Sequence, residues 1–233
     1  MSTAVRPYIP STDDVLVNPA DKNGNNRISK ALVSAFRNDP VMSMVLPGKS
    51  YEELAPRLYR WTTWAHQPNG LTRVVEHEGE IKAVAIWQNA HDSISEQLRT
   101  VGILGWMLWH KGISATYRVA KAFYAAETKR HKLAPGAMYL AVLGVDAAFQ
   151  GHGAGTRLLR PTLEQFDREG KTAYLESSNP RNVPFYERLG FEVVEKEYPF
   201  EHFPEAGATR GPLLTLMIRH PRPQQTEQTA TDN

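Results

Sequence analysis

The chain has 233 residues, with 27 lysines and arginines against 25 aspartates and glutamates, 41% hydrophobic and 22% charged residues, and no cysteine. That length fits one domain with additions or two small ones, and the composition is that of a globular protein with a sizeable core. The near-balanced charge does not indicate a nucleic-acid or polybasic membrane binder, and the missing sulfur excludes disulfides, thiolate zinc sites, iron–sulfur clusters and a cysteine nucleophile.

No basic segment followed by an apolar run opens the chain, and no stretch reaches the roughly 18 apolar residues of a membrane span, so a cytoplasmic protein is expected. Residues 1–10 carry one short β-like patch, Val5 to Ile9, and the Asn- and Gly-rich residues 21–27 read as a loop. Ser29 followed by Leu32, Val33 and Phe36 predicts a helix over 29–38 that stops before Pro40. Residues 41–48 read as a buried turn or short helix. Leu54, Leu58, Trp61 and Ala65 recur at helical spacing and predict a second helix over 51–66, ended by Pro68-Asn69-Gly70. Two β-type runs, 71–77 and 80–88, separated by Glu78 and Gly79, predict a hairpin.

Residues 91–136 read as a helical insertion, with an apolar stretch at 101–109 and an amphipathic one after it. Its Trp106, Trp109, Tyr117, Phe123 and Tyr124 are expected to be core packing more than a substrate wall. An apolar strand at 138–146 then runs into Gln150-Gly151-His152-Gly153-Ala154-Gly155-Thr156, followed by a helical pattern through Leu158, Leu159, Leu163 and Phe166. Three closely spaced glycines let successive N–H groups converge, and a new helix adds its own unpaired N–H groups and positive dipole end. Such a turn suits a pyrophosphate. The dinucleotide fingerprint needs a third glycine where Thr156 or Leu158 stands, and a P-loop needs a Gly-Lys-Ser/Thr ending, so both motifs fail. A glycine-rich connection that binds nothing is the ordinary alternative.

After Gly170 come a strand at 172–177, a short helix with Asn182 as N-cap and Gly190 as its stop, a strand at 191–197 and a last strand at 213–219. Residues 221–233 read as a loose, disordered tail. With the strand ending Leu143-Gly144-Val145, the loop at 150–155, and Asn182 with Tyr186 before Leu189-Gly190-Phe191, the sequence resembles the GCN5-related N-acetyltransferases (GNAT). Residues 175–191 and Pro161 within the post-loop helix are similar to the puromycin N-acetyltransferase-like group. An interior proline costs about 3 kcal/mol, so a kink is expected at Pro161.

The resemblance implies an α/β (α+β) fold. Its mixed, mostly antiparallel sheet has helices on both faces and a helical insertion before the fourth strand, the Val5–Ile9 patch counting as the first, all in one domain over 1–220. It also implies a V-shaped slot where the strands at 138–146 and 172–177 splay apart, filled by acetyl-coenzyme A. Leu143 and Val145 would pair with the pantetheine arm through their backbones, and Gln150, Gly151, His152, Gly153, Ala154, Gly155, Thr156 and Asn182 complete the cofactor-binding set. His152 contributes its N–H alone. Tyr186 matches the general acid of the family, and Glu176 is the candidate base, an ion pair with Arg181 being its structural alternative. The expected reaction is direct acetyl transfer to a primary amine of a small molecule, without a metal; the alternative is a non-catalytic acyl-coenzyme A-binding or regulatory module. Acetyl-coenzyme A and the amine are the expected partners, with no nucleic acid and no membrane, and a homodimer is allowed.

Overall fold

In a computed structural model, residues 22–66, 71–89, 94–199, 201–203 and 208–222 are described. The Val5–Ile9 patch and the tail beyond Arg222 lie outside them. Fourteen elements follow one another: α1 (Lys22–Ala35), α2 (Pro40–Val45), α3 (Lys49–His66), β1 (Leu71–His77), β2 (Glu80–Gln88), α4 (Ile94–Leu133), β3 (Met138–Val145), α5 (Ala154–Arg168), β4 (Ala173–Ser177), α6 (Val183–Arg188), β5 (Glu192–Glu197), β6 (Glu201–Phe203), β7 (Ala208–Arg210) and β8 (Leu214–Arg219).

Six strands form one sheet in the order β1-β2-β3-β4-β8-β5. Every neighbouring pair is antiparallel except β3 and β4, which run parallel. The mixed, mostly antiparallel architecture is the one expected. Side-chain alternation sorts the two faces. Ala83, Ala85 and Trp87 of β2, Ala173 and Leu175 of β4 and Met217 of β8 pack with Leu158, Leu159, Leu163 and Phe166 of α5 and Tyr186 of α6. On the opposite face α1 and α3 cover Val84 and Ile86. Trp106, Met107, Val119 and Ala122 of α4 cover Tyr174, Leu216 and Ile218 on that same face.

Several elements differ from expectation. Residues 22–27 begin α1 instead of forming a loop. Burial of Ile28, Ala31 and Leu32 against the sheet outweighs the poor helix propensity of Asn and Gly, and Arg27 is anchored to the Gly79 carbonyl at 2.7 Å and to Glu76 at 2.8 Å. α1 ends at Ala35, short of 38, and Pro40 opens α2, with the Asp39 carboxylate accepting from the Met42 N–H as its N-cap. α5 continues through Pro161 as one helix to Arg168. The β6–β7 hairpin was not foreseen, its strands being three residues each.

The insertion is two helices meeting at Gly112, whose φ of 76° and ψ of 173° are non-helical. Trp106 is buried as expected, whereas Trp109, Tyr117, Phe123 and Tyr124 are exposed and belong to neither core nor pocket. They point away from the face that carries Trp106, Val119 and Ala122 onto the sheet.

A slot between two strands and the groups around it

Strands β3 and β4 share only two register pairs, Met138 with Ala173 and Tyr139 with Tyr174. Just beyond, the β2–β3 register shifts: Trp87 faces Leu140 while Ile86 faces Val142, leaving Ala141 as the extra residue of a bulge. From Leu140 to Val145, β3 therefore pairs with β2 on one side and has no partner on β4. A wedge-shaped slot opens there.

The backbone of β3 is arranged to use it. Asp146 N–H donates to the Lys82 carbonyl at 2.8 Å, which makes Ala83 and Val145 a non-hydrogen-bonded pair. Alternation makes Ala85 and Leu143 another, so the N–H and C=O of Leu143 and Val145 point away from β2, toward the slot. Gly144 between them lies against α1: a Cβ there would approach Leu32 Cδ2 to 2.7 Å and Ala35 Cβ to 3.1 Å.

The glycine loop closes one end. After a 3₁₀ turn at Ala147–Phe149 capped by Asp146, Gly151 and Gly153 take left-handed φ values of 82° and 77°. Gly153 is the N-cap of α5 and supplies no side-chain acceptor, so the first-turn N–H groups of Ala154, Gly155 and Thr156 have no intrahelical partner. Gly155 is tightly approached: a Cβ would lie 3.1 Å from the Phe185 ring and 3.8 Å from Val145 Cγ2. The start of α5, the end of β3 and α6 thus meet at one point. The Gln150 amide donates to the Val145 carbonyl at 3.1 Å, tying the loop to the strand. His152 stacks on Phe149 at 5.6 Å with Nδ1 3.3 Å from the Phe149 carbonyl, so its ring is held within its own turn.

Asn182 is not the helix cap. Pro180 starts a 3₁₀ turn whose cap is Asn179, accepting from the Arg181 N–H at 3.1 Å, and Asn182 is already right-handed with φ of −85° and ψ of −16° as that turn runs into α6. Its side chain is exposed beside α6. Tyr186 is buried among Phe185 and Phe191, with ring centroids at 5.1 and 6.0 Å. Burial first, then the charge of Asp39, raises its phenol well above the ordinary value, so it holds its proton.

Glu176 lies on the other face of β4, in line with Tyr174, whose hydroxyl donates to Glu176 Oε1 at 2.9 Å. That bond, not an ion pair with Arg181, is the contact of its carboxylate. Burial pushes its carboxyl up to about 7; the Tyr174 bond opposes this, the charges of Glu197 and Glu127 add to it, and Arg130 lowers it. Arg130 was not singled out in the sequence. It is buried, paired with Glu127 and set over the Tyr139 ring at 5.1 Å, and Tyr139 in turn lies 5.9 Å from the Tyr174 ring. Only the fold brings 130, 139 and 174 together, so no local signal marks them. Among the described residues no group of three His, Asp or Glu side chains could hold a metal ion, and no helix is long and apolar enough to cross a membrane.

The arrangement is a strand edge facing an open slot, an anion-binding helix start at its end, and a phenol and a carboxyl on opposite faces. A solved structure from Corynebacterium glutamicum, described as histone acetyltransferase HPA2 and related acetyltransferase, superposes with a TM-score of 0.61 at 22% identity over 90% of this chain and 97% of that one. Arylalkylamine N-acetyltransferase 2 from Aedes aegypti gives 0.63 at 14% identity over 89% of this chain and 98% of that one. An uncharacterized N-acetyltransferase of Schizosaccharomyces pombe is 26% identical over 184 residues, 74% of this chain and 72% of its own. The model of the acetyltransferase (GNAT) family matches residues 38–191, from the N-cap of α2 through the slot to the end of α6, and the chain belongs to that family.

Proposed function

We propose that the protein transfers an acetyl group from acetyl-coenzyme A directly to a primary amine of a small molecule. The splay of β3 from β4 beside the uncapped start of α5 carries this reading, because it offers backbone donors along a strand and an anion site at its end. The slot-facing groups of Leu143 and Val145 fit the amides of a pantetheine arm, and the N–H groups of Gly151 to Thr156 fit its pyrophosphate, with Gln150 bracing the loop and Asn182 at the open side. When bound, acetyl-coenzyme A supplies the acyl carbonyl and the sulfur leaving group.

The chain supplies the proton movements. Glu176, with its carboxyl near neutrality, takes a proton from the incoming ammonium. The Val145 N–H donates to the carbonyl oxygen as charge grows there, and is worth more at that moment than before it. Tyr186, held protonated, gives its proton to the departing sulfur. The S. pombe relative is named an N-acetyltransferase and the A. aegypti neighbour acts on arylalkylamines, which supports an amine acceptor here. Residues 175–191 resemble the puromycin N-acetyltransferase-like group, so puromycin belongs in the panel of amines.

Thiol release from acetyl-coenzyme A across that panel tests the reading. One or more amines are expected to drive release, with Tyr186→Phe and Glu176→Gln each lowering kcat by about a hundredfold or more while leaving acetyl-coenzyme A binding nearly unchanged. Binding without release for any amine would instead assign a non-catalytic acyl-coenzyme A-binding module.

A further inference from the structure

Ten large hydrophobic side chains are exposed among the described residues, and seven of them lie on α4. Trp109 is 87% exposed, Ile113 78%, Tyr117 67% and Tyr124 76%. Ile113, Tyr117 and Tyr124 stand four and seven residues apart, forming one stripe along the second half of α4. Trp109 and Ile113 flank the bend at Gly112. Leu108 and Val101 extend the apolar surface along the first half. Isolated exposed apolar residues are ordinary, but a set concentrated on one element marks a contact surface.

The charge on this surface has one sign. Between Val101 and Ala126 the acidic residues number none, and the ionised side chains are Lys111, Arg118 and Lys121. The acid–base pairs of α4, Glu127 with Arg130 and Lys129 with Glu195 and Glu197, all fall in its last turns. A second copy docked about a two-fold axis would place the same cations opposite one another. A polyanion would match the cations but would leave Ile113, Leu108 and Trp109 in water. A surface that is negative outside and apolar a few ångströms below satisfies both, and amphipathic helices with lysines and aromatic residues lie in such interfaces.

We propose that the bent α4 pair docks this face on an anionic lipid surface, with Trp109 and Ile113 entering at the bend and Lys111 and Lys121 meeting the headgroups. This is peripheral attachment and needs no spanning helix. It does not depend on which amine is acetylated.

Co-sedimentation of the full chain with vesicles tests it, using phosphatidylcholine alone and phosphatidylcholine containing phosphatidylglycerol. The protein is expected to sediment with the anionic vesicles only, and less so as salt rises. Lys111→Gln and Lys121→Gln should each weaken binding about fivefold. The double variant Trp109→Ser/Ile113→Ser should weaken it by more than about tenfold. An unchanged far-UV spectrum and retained stabilisation by acetyl-coenzyme A show that each variant folds. Sedimentation with both vesicle types alike, with neither, or undiminished in the variants would overturn the proposal. So would a dimer in light scattering that Trp109→Ser/Ile113→Ser dissociates, which would give the face to a second copy.

Discussion

Glu176 sits at about 7 because burial raises it and Tyr174 partly restrains the rise. In the proposed base role it works deprotonated, so kcat/KM should climb with pH through about 7 and level off above. Tyr174 reaches the carboxylate from two residues away on the same strand face and donates to Oε1, which stabilises the charged form and fixes which oxygen stays open. Tyr174→Phe deletes that donor without emptying the ring's place against Tyr139. A hydrogen bond of this kind is worth on the order of 1 kcal/mol, so the rising limb of kcat/KM should move about one pH unit upward while the plateau stays near the parent's. The charges facing Glu176 are Glu197 from β5 and Glu127 and Arg130 from α4, and all three persist in the variant. A uniform loss of rate at every pH, with the limb unmoved, would reduce Tyr174 to a packing residue.

At the scale of elements, the junction of α5, α6 and β8 depends on one buried ion pair. Arg219 at the end of β8 is almost fully buried and grips Asp167 of α5 through two bonds, 2.8 and 2.7 Å, while its Nε donates to the Leu189 carbonyl that ends α6. Arg219 holds the Asp167 carboxyl below the usual range. Removing one partner strands the other charge, so Arg219→Leu should cost about 3 kcal/mol in urea unfolding at pH 7, with the double variant Asp167→Leu/Arg219→Leu recovering part of it. A lowered carboxyl stabilises the fold above its ordinary value of 3.8 and ceases to as pH falls through its folded value, so the gap between parent and Arg219→Leu should narrow in acid. Equal stabilities at pH 7 would show the pair to be inert. The elements that the sequence made legible are those with a strong local period: the hairpin, β3, α5 and β8 all carry apolar runs or alternation longer than a turn. Those it concealed were settled elsewhere in the chain. The start of α1 depends on Glu76 and Gly79 some fifty residues on, and Asn182 lost its capping place to Asn179 once Pro180 opened a turn ahead of it. Gly144 was legible as part of a motif, but its reason, the close approach of Leu32 and Ala35, is a contact between distant segments.

For the molecule as a whole, the sheet divides into β1-β2-β3 and β4-β8-β5, joined at the base by the pairs Met138–Ala173 and Tyr139–Tyr174. Each half carries its own helices on the α1–α4 face, α1 and α3 on the first and α4 on the second. A ligand lying along Leu143 and Val145 with its phosphates on Gly151 to Thr156 would extend one half toward the other and replace backbone hydrogen bonds that the slot leaves to solvent. Acetyl-coenzyme A at a hundred times its dissociation constant should therefore stabilise the fold by about 2.7 kcal/mol, a rise in Tm of roughly 5 to 10 °C for a chain of this length. Amide exchange should slow most at 143, 145 and 151–156, with the β1–β2 pairing little changed because its hydrogen bonds are complete without the ligand. Tyr186→Phe should show the same shift in Tm and the same pattern of protection, since its hydroxyl serves the reaction and not the binding. Protection centred on α4 instead, or an equal rise with ATP or NAD, would mean that the slot between β3 and β4 is not where acetyl-coenzyme A binds.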